Sequence, residues 1–171
     1  MFVTTPEIGE KEAVVNVDAV ITGTDIEEAV DYRCEILDAG GKVVGKVEKT
    51  MQVCGKQKEN VQLTVENPSL WDLEHPYLYT YRITVSKDGE VTDQAEDTFG
   101  IRKIEVDAVN GFRLNGKKMN LKGGCIHHDN GFLGACAYPK AEERKIQILK
   151  KAGYNTCLLY TSDAADDLIG V

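Results

Sequence analysis

The chain reads as mainly β, with an immunoglobulin-like β-sandwich over residues 1–100 followed by one β/α unit of the kind that repeats in an α/β barrel. Three observations predict this. Two-residue alternation of apolar and polar side chains recurs through the first hundred residues, which is the mark of half-buried strands. Turn residues interrupt it about every ten positions, a spacing typical of sandwiches. After Gly100 the pattern changes to a short hairpin, an apolar run, a glycine-flanked polar loop holding two of the chain's three histidines, and a helical segment.

The elements follow in order. Val15, Val17, Ala19 and Ile21 alternate with Asn16, Asp18 and Val20. Val30, Tyr32, Cys34 and Ile36 alternate with Asp31, Arg33 and Glu35, and Val61, Leu63 and Val65 repeat the pattern. Tyr77, Tyr79, Tyr81, Ile83 and Val85 close the series, and about seven strands are expected in all. Asp38-Ala39-Gly40-Gly41-Lys42 and Lys87-Asp88-Gly89-Glu90 supply the positive-φ residues that hairpins need. Trp71, in a connection after Asn67-Pro68, is expected to pack over the sandwich edge. Phe112 to Lys117 predicts a short hairpin, and Lys118 to Ile126 one strand that ends at the histidines. Pro139 to Ala152 predicts a helix, with Pro139 at a first helical position, Glu142 and Glu143 early, Lys150 and Lys151 late, and Gly153 beyond its end. Ile146, Leu149 and Ala152, with Ile148 beside them, form its apolar stripe. Tyr154-Asn155-Thr156 starts a second strand. One such unit cannot close a barrel or bury its own helix face.

Composition narrows the function. The 171 residues carry a net charge of −8 and 42% hydrophobic side chains. An acidic chain lacks the basic face that phosphate backbones require, so neither nucleic acid nor an anionic membrane is an expected partner. No apolar run approaches the ~20 residues that span a bilayer, and Met1 starts no basic-then-apolar leader. The five cysteines at 34, 54, 125, 136 and 157 form an odd set without a C-x-x-C pair. They fit neither a zinc knuckle nor a disulfide framework and are expected to be buried free thiols. Such thiols suit a cytoplasm without excluding a periplasm.

The candidate site is His127, His128 and Asp129, at the end of the run Leu121-Lys122-Gly123-Gly124-Cys125-Ile126. The carboxyl end of a barrel strand is where α/β barrels keep their chemistry. A loop pair of histidines without a ligand is the plain alternative, since histidine is a common but unspecific site residue. A metal site is the weaker reading, because neighbours on an extended strand point to opposite faces. A Cys125/His127 nucleophile lacks the orienting third group that such chemistry needs. The tyrosines at 77, 79 and 81 fit core or edge packing better than sugar stacking. Glu142 and Glu143 read as a solvated helix start, because adjacent helical residues do not face each other.

Ordered landmarks over residues 1–156 resemble glycoside hydrolase family 2, its β-galactosidases most of all. They are Val3-Thr4-Thr5-Pro6, then Asn67-Pro68-Ser69-Leu70-Trp71 with Pro76-Tyr77-Leu78-Tyr79, then Phe99-Gly100-Ile101-Arg102, Phe112-Arg113-Leu114-Asn115-Gly116-Lys117 and Leu121-Lys122-Gly123. The resemblance implies a retaining β-glycosidase built from a jelly roll, a sandwich and a (β/α)8 barrel, with two glutamates ~5–5.5 Å apart as nucleophile and acid/base. In the family those glutamates lie on later barrel strands, so no catalytic residue is expected here and the fragment by itself should be inactive. Residues 101–156 would then be the start of the catalytic barrel. His127 matches the histidine that contacts the sugar hydroxyls, and His128 and Asp129 take supporting roles. The implied partner is a β-galactoside. The resemblance allows a homo-oligomeric parent and a divalent metal in it, while the fragment itself calls for no cofactor. β-Glucuronidase and β-mannosidase are near alternatives, although His127-His128-Asp129-Asn130-Gly131-Phe132-Leu133-Gly134 looks closer to galactosidases.

Two further expectations concern the ends. The family's jelly roll is missing at the front, so Met1 is expected to be internal or a truncated start. Cys157 to Val171 resembles a translated sequencing adapter and is expected to be a non-native tail, where the family would place an Arg-x-Ser-His-x-Pro run. Its three aspartates, with no Lys or Arg, supply three of the eight net negative charges. A different class remains open: a standalone carbohydrate- or protein-binding sandwich module. Such a module would have no need of the strand, histidine loop and capped helix over 112–153.

Overall fold

The computed structural model describes residues 1–127 and 130–159. It divides into two compact units between Lys118 and Met119. The first is a sandwich. One sheet has the order β1-β2-β5, from β1 (Phe2–Ile8), β2 (Glu12–Thr22) and β5 (Lys56–Glu66). The other has the order β4-β3-β6-β7, from β3 (Glu28–Leu37), β4 (Val43–Val53), β6 (Tyr79–Lys87) and β7 (Glu90–Phe99). All pairings in both sheets are antiparallel.

Alternation does what it predicts. Val15, Val17 and Ala19 of β2 and Val61, Leu63 and Val65 of β5 turn inward to meet Tyr32, Cys34 and Ile36 of β3 and Tyr79, Tyr81 and Ile83 of β6. The intervening polar residues face out, and because the period is two, a slip of one residue would expose the whole set. Asp88 (φ 53°) and Gly89 (φ 84°) make the tight turn between β6 and β7. In the turn between β3 and β4, Asp38 Oδ1 accepts the Gly40 and Lys42 amides at 2.9 Å each.

The tyrosines serve packing, as expected, with one correction. Tyr79 and Tyr81 are buried strand residues, but Tyr77 lies before β6 rather than on it. Its ring packs 4.9 Å from that of Tyr79, and its hydroxyl accepts the Ala39 amide at 3.1 Å. Trp71 closes the exit from β7. Its amide donates to Ile101 O at 2.8 Å, and the Arg102 guanidinium lies 4.9 Å from the ring centre. A Cβ at Gly100 would stand 2.7 Å from Trp71 Cγ, so only glycine lets the indole lie this close.

Residues 101–118 stay with the sandwich unit. They form the meander β8 (Ile104–Asp107), β9 (Gly111–Leu114) and β10 (Lys117–Lys118). The expected hairpin is present, turned by Asn115 (φ 51°) and Gly116 (φ 75°). The Asn115 amide nitrogen donates to Trp71 O at 3.0 Å, and Thr5 Oγ1 donates to Arg102 O at 3.0 Å.

The cysteine expectation needs correction. All five thiols are free, but only Cys34 is buried; Cys54, Cys125, Cys136 and Cys157 are exposed. Cys34 points inward from a covered strand, whereas Cys54 sits in a turn, Cys136 in a loop, and Cys125 and Cys157 on a two-stranded sheet. In the core, the buried Tyr32 hydroxyl has the Cys34 thiol as its neighbour, a weak hydrogen-bonding group, and no stronger partner among the described residues. Burial pushes the Cys34 thiol up to about 11 and raises the Tyr32 hydroxyl above its ordinary value.

A pH dependence follows. Between the unfolded thiol value of about 8.5 and the folded value of about 11, the folded state holds a proton that the unfolded state has lost. The stability linked to Cys34 is therefore complete below pH ~8.5 and is lost as pH rises through 11. The urea midpoint should fall between pH 8 and pH 10.5, and Cys34→Val should flatten that fall. An equal fall in the variant would remove Cys34 as its source.

The second unit is a β/α unit. β11 (Gly123–Ile126) and β12 (Thr156–Leu159) pair in parallel, with α1 (Pro139–Lys151) between them in sequence. One expectation changes and another holds. The strand expected over 118–126 is confined to Gly123–Ile126, because Lys117 and Lys118 pair back onto β9 instead. The stripe of α1 is not buried: Ile146 is 45% and Ile148 53% exposed, Ala152 is exposed, and no residue of the helix is buried. A single parallel strand pair is too narrow to cover an amphipathic helix. The helix ends agree with expectation, with Pro139 in its first turn and Gly153 (φ 87°) past its last.

Candidate functional site

The site starts from the parallel strand pair. At Gly123 a Cβ would collide with the Thr156 backbone carbonyl, so glycine permits the close approach of β12 to β11. Asn155 pins that pairing at its amino-terminal side. Its Nδ2 donates to Asn120 O at 3.0 Å, and its Oδ1 accepts the Lys122 amide at 2.8 Å. The Asn155 amide donates to Lys122 O at 2.9 Å. The register then runs Gly124↔Cys157, Cys125↔Leu158 and Ile126↔Leu159. Ile126 is buried, and His127 is the first residue beyond the strand, exposed at its carboxyl end. That edge of parallel strands is where open α/β sheets and barrels place ligands.

The loop that follows is closed on itself. Leu133 N donates to Asn130 O at 3.2 Å, Asn130 N to Gly134 O at 3.0 Å, and Cys136 N to Leu133 O at 3.3 Å. A short 3-10 turn, Gly131–Leu133, sits within it. Gly131 (φ 59°) and Gly134 (φ 61°) both take positive φ, which glycine adopts without strain. Glu142, on the first turn of α1, faces this loop. Its Oε1 accepts Asn130 Nδ2 at 2.7 Å and Lys145 Nζ at 3.2 Å. The expectation that Glu142 is merely solvated is thus corrected: it is half-buried and engaged, while Glu143 is exposed.

Of the three candidate residues, His127 is placed at the strand end, and His128 and Asp129 lie outside the described residues. Sequence reasoning missed Asn130, Glu142 and Asn155 as structural partners of the site. The signals were slight: an asparagine in a glycine-rich loop, and an asparagine at a strand start. Among the described residues, no group of three or more His, Cys, Asp or Glu side chains gathers as it would to hold a metal ion. None of the described helices is long and apolar enough to cross a membrane.

The chain is thus a mainly β protein, an antiparallel sandwich followed in sequence by a parallel β/α unit with a histidine at the end of its first strand. The model of Glycosyl hydrolases family 2 matches residues 1–102, and the chain belongs to that family. It is 39% identical over 157 residues, 90% of its length, to a beta-galactosidase of Bacteroides ovatus, and covers 18% of that protein. It is 34% identical over 155 residues, 91% of its length, to a putative beta-glucuronidase of Formosa agariphila, and covers 14% of it. Among solved structures, a glycosyl hydrolase family 2 member from Bacteroides cellulosilyticus superposes with a TM-score of 0.89 at 41% identity, over 94% of this chain and 21% of that one. The chain therefore spans less than a fifth of the length of the curated relatives named here.

Proposed function

We propose that this chain is a segment of a retaining β-galactosidase, with a sandwich over 1–100, the start of the catalytic barrel over 101–156, and a non-native tail over 157–171. The observation that carries the reading is the 39% identity to a beta-galactosidase across both the sandwich and the β/α unit, together with His127 at the carboxyl end of β11. In this reading His127 hydrogen-bonds the sugar hydroxyls, His128 and Asp129 support it, and the two catalytic glutamates lie outside this stretch. Hydrogen bonds to ring hydroxyls that strengthen as the ring distorts raise kcat rather than merely lowering KM. A β-glucuronidase is the second reading, favoured by the 34% identity to a protein of that putative name.

The test is to recover the reading frame beyond codon 156 from independently prepared DNA and to assay the full-length enzyme. An Arg-x-Ser-His-like run after Asn155, two later glutamates and a clear preference for an aryl β-galactoside over the matching β-glucuronide are the expected results. A preference for the glucuronide replaces the first reading with the second. Codons for 157–171 that are genomic and end in a stop would make the chain a binding module.

A further inference from the structure

We infer that Asn130 is the positioning residue of the histidine loop, its side-chain amide tying the neck of that loop to the first turn of α1. The inference rests on the proposed role of His127, and its geometry is local. Asn130 Nδ2 carries two hydrogens, and both are used: one bonds Glu142 Oε1 at 2.7 Å and the other Cys136 O at 2.9 Å. The main chain of the same residue donates to Gly134 O and accepts from Leu133 N. One residue thus closes the loop and fastens it to the helix.

The bond to Glu142 is charge-assisted and therefore among the stronger ones. Lys145 holds the same carboxylate through contacts of 3.2 Å to each oxygen. The consequence concerns the residues just upstream. Ile126 is buried at the end of β11, and Asn130 is anchored to α1. His127 therefore sits directly after a strand end and three residues before an asparagine that is fastened to α1. Fixed backbone close to a contact residue limits its misplacement, and a misplacement of about 1 Å can cost about 100-fold in rate. Asparagine suits the position: aspartate has no N–H to donate and would face the Glu142 carboxylate, and alanine reaches neither acceptor.

The experiment uses two readouts. In the full-length enzyme, Asn130→Ala and Asn130→Asp should each lower kcat/KM by about 10- to 100-fold, a loss typical of groups that orient site residues. Glu142→Ala should reproduce much of this loss, and Glu142→Gln, which keeps an Oε1 acceptor, should recover most of it. In the 171-residue chain, hydrogen exchange at the Gly134 and Cys136 amides should be faster in Asn130→Ala than in the parent, with the sandwich amides unchanged. Asn130→Ala within about threefold of wild-type kcat/KM, a loss no larger than the lost folded fraction, or unaltered exchange at Gly134 and Cys136 would each overturn the inference. Failure of the galactosidase reading shows separately, as a wild-type enzyme that prefers another β-glycoside; the variant-to-wild-type ratio is then read on that glycoside. Should the wild type cleave none, the exchange comparison decides.

Discussion

If the proposed galactosidase reading holds, replacing His127 with alanine in the full-length enzyme is expected to lower kcat/KM for a β-galactoside by about 100-fold, or about 2.7 kcal/mol of transition-state stabilisation. The loss is expected to fall more on kcat than on KM, because the hydrogen bond proposed for His127 would gain strength as the sugar ring distorts. Stability hardly changes: His127 is exposed at the end of β11, outside the ladder, and exposed substitutions usually stay within about 0.5 kcal/mol. The two effects separate cleanly in one experiment that pairs steady-state kinetics with thermal melting. Wild-type kinetics in the variant would remove His127 from the sugar site, and a lowered Tm with unchanged kcat/KM would make it a structural residue only.

Ile36→Ala lowers the unfolding free energy of the chain by about 2–5 kcal/mol, the cost of a truncated side chain and the cavity it leaves in a packed core. Ile36 is 0% exposed, at the meeting of the two sheets. Val91, a residue of similar chemistry on β7, is 63% exposed, and Val91→Ala stays within about 0.5 kcal/mol. Urea titration of both variants checks the register directly, because a one-residue slip would move Ile36 to the solvent face. Equal midpoints for the two variants would contradict the inward face assigned to β3.

The sandwich was legible because its signal is local. Strands with one covered face write their burial into consecutive residues, so the alternation at Val15 to Ile21 or Val30 to Ile36 reports both the strand and its inward side. Turns are equally local: Asp88-Gly89 and Asn115-Gly116 adopt positive φ, which few other pairs tolerate. The helix caps at Pro139 and Gly153 belong with these. Where the reading failed, the deciding partner was distant. Tyr77 continues the alternation of β6 yet lies outside it, engaged by Ala39, which precedes it by 38 residues. Lys118 to Lys122 look continuous with β11, but Lys118 pairs with Arg113 instead. Cysteine content alone did not report that four of the five thiols are exposed.

The candidate site divides in the same way. A short apolar run ending in histidines between glycines marked the carboxyl end of a parallel strand, and the parallel pairing of β11 with β12 agrees with that placement. The clamp of Asn130 on Glu142 and Cys136, and of Asn155 on Asn120 and Lys122, left no trace in periodicity. By itself the sequence determined the element types, the inward faces of the sandwich and the position of His127 at a strand end, because each depends on neighbouring residues and on backbone preference. Only the tertiary structure decided which strands pair, which thiols are covered and which polar side chains brace the loop. Most of those outcomes depend on groups well separated in sequence, such as Asn130 and Glu142, Asn120 and Asn155, or Glu12 and Glu66, and the chain brings such groups together only when it folds.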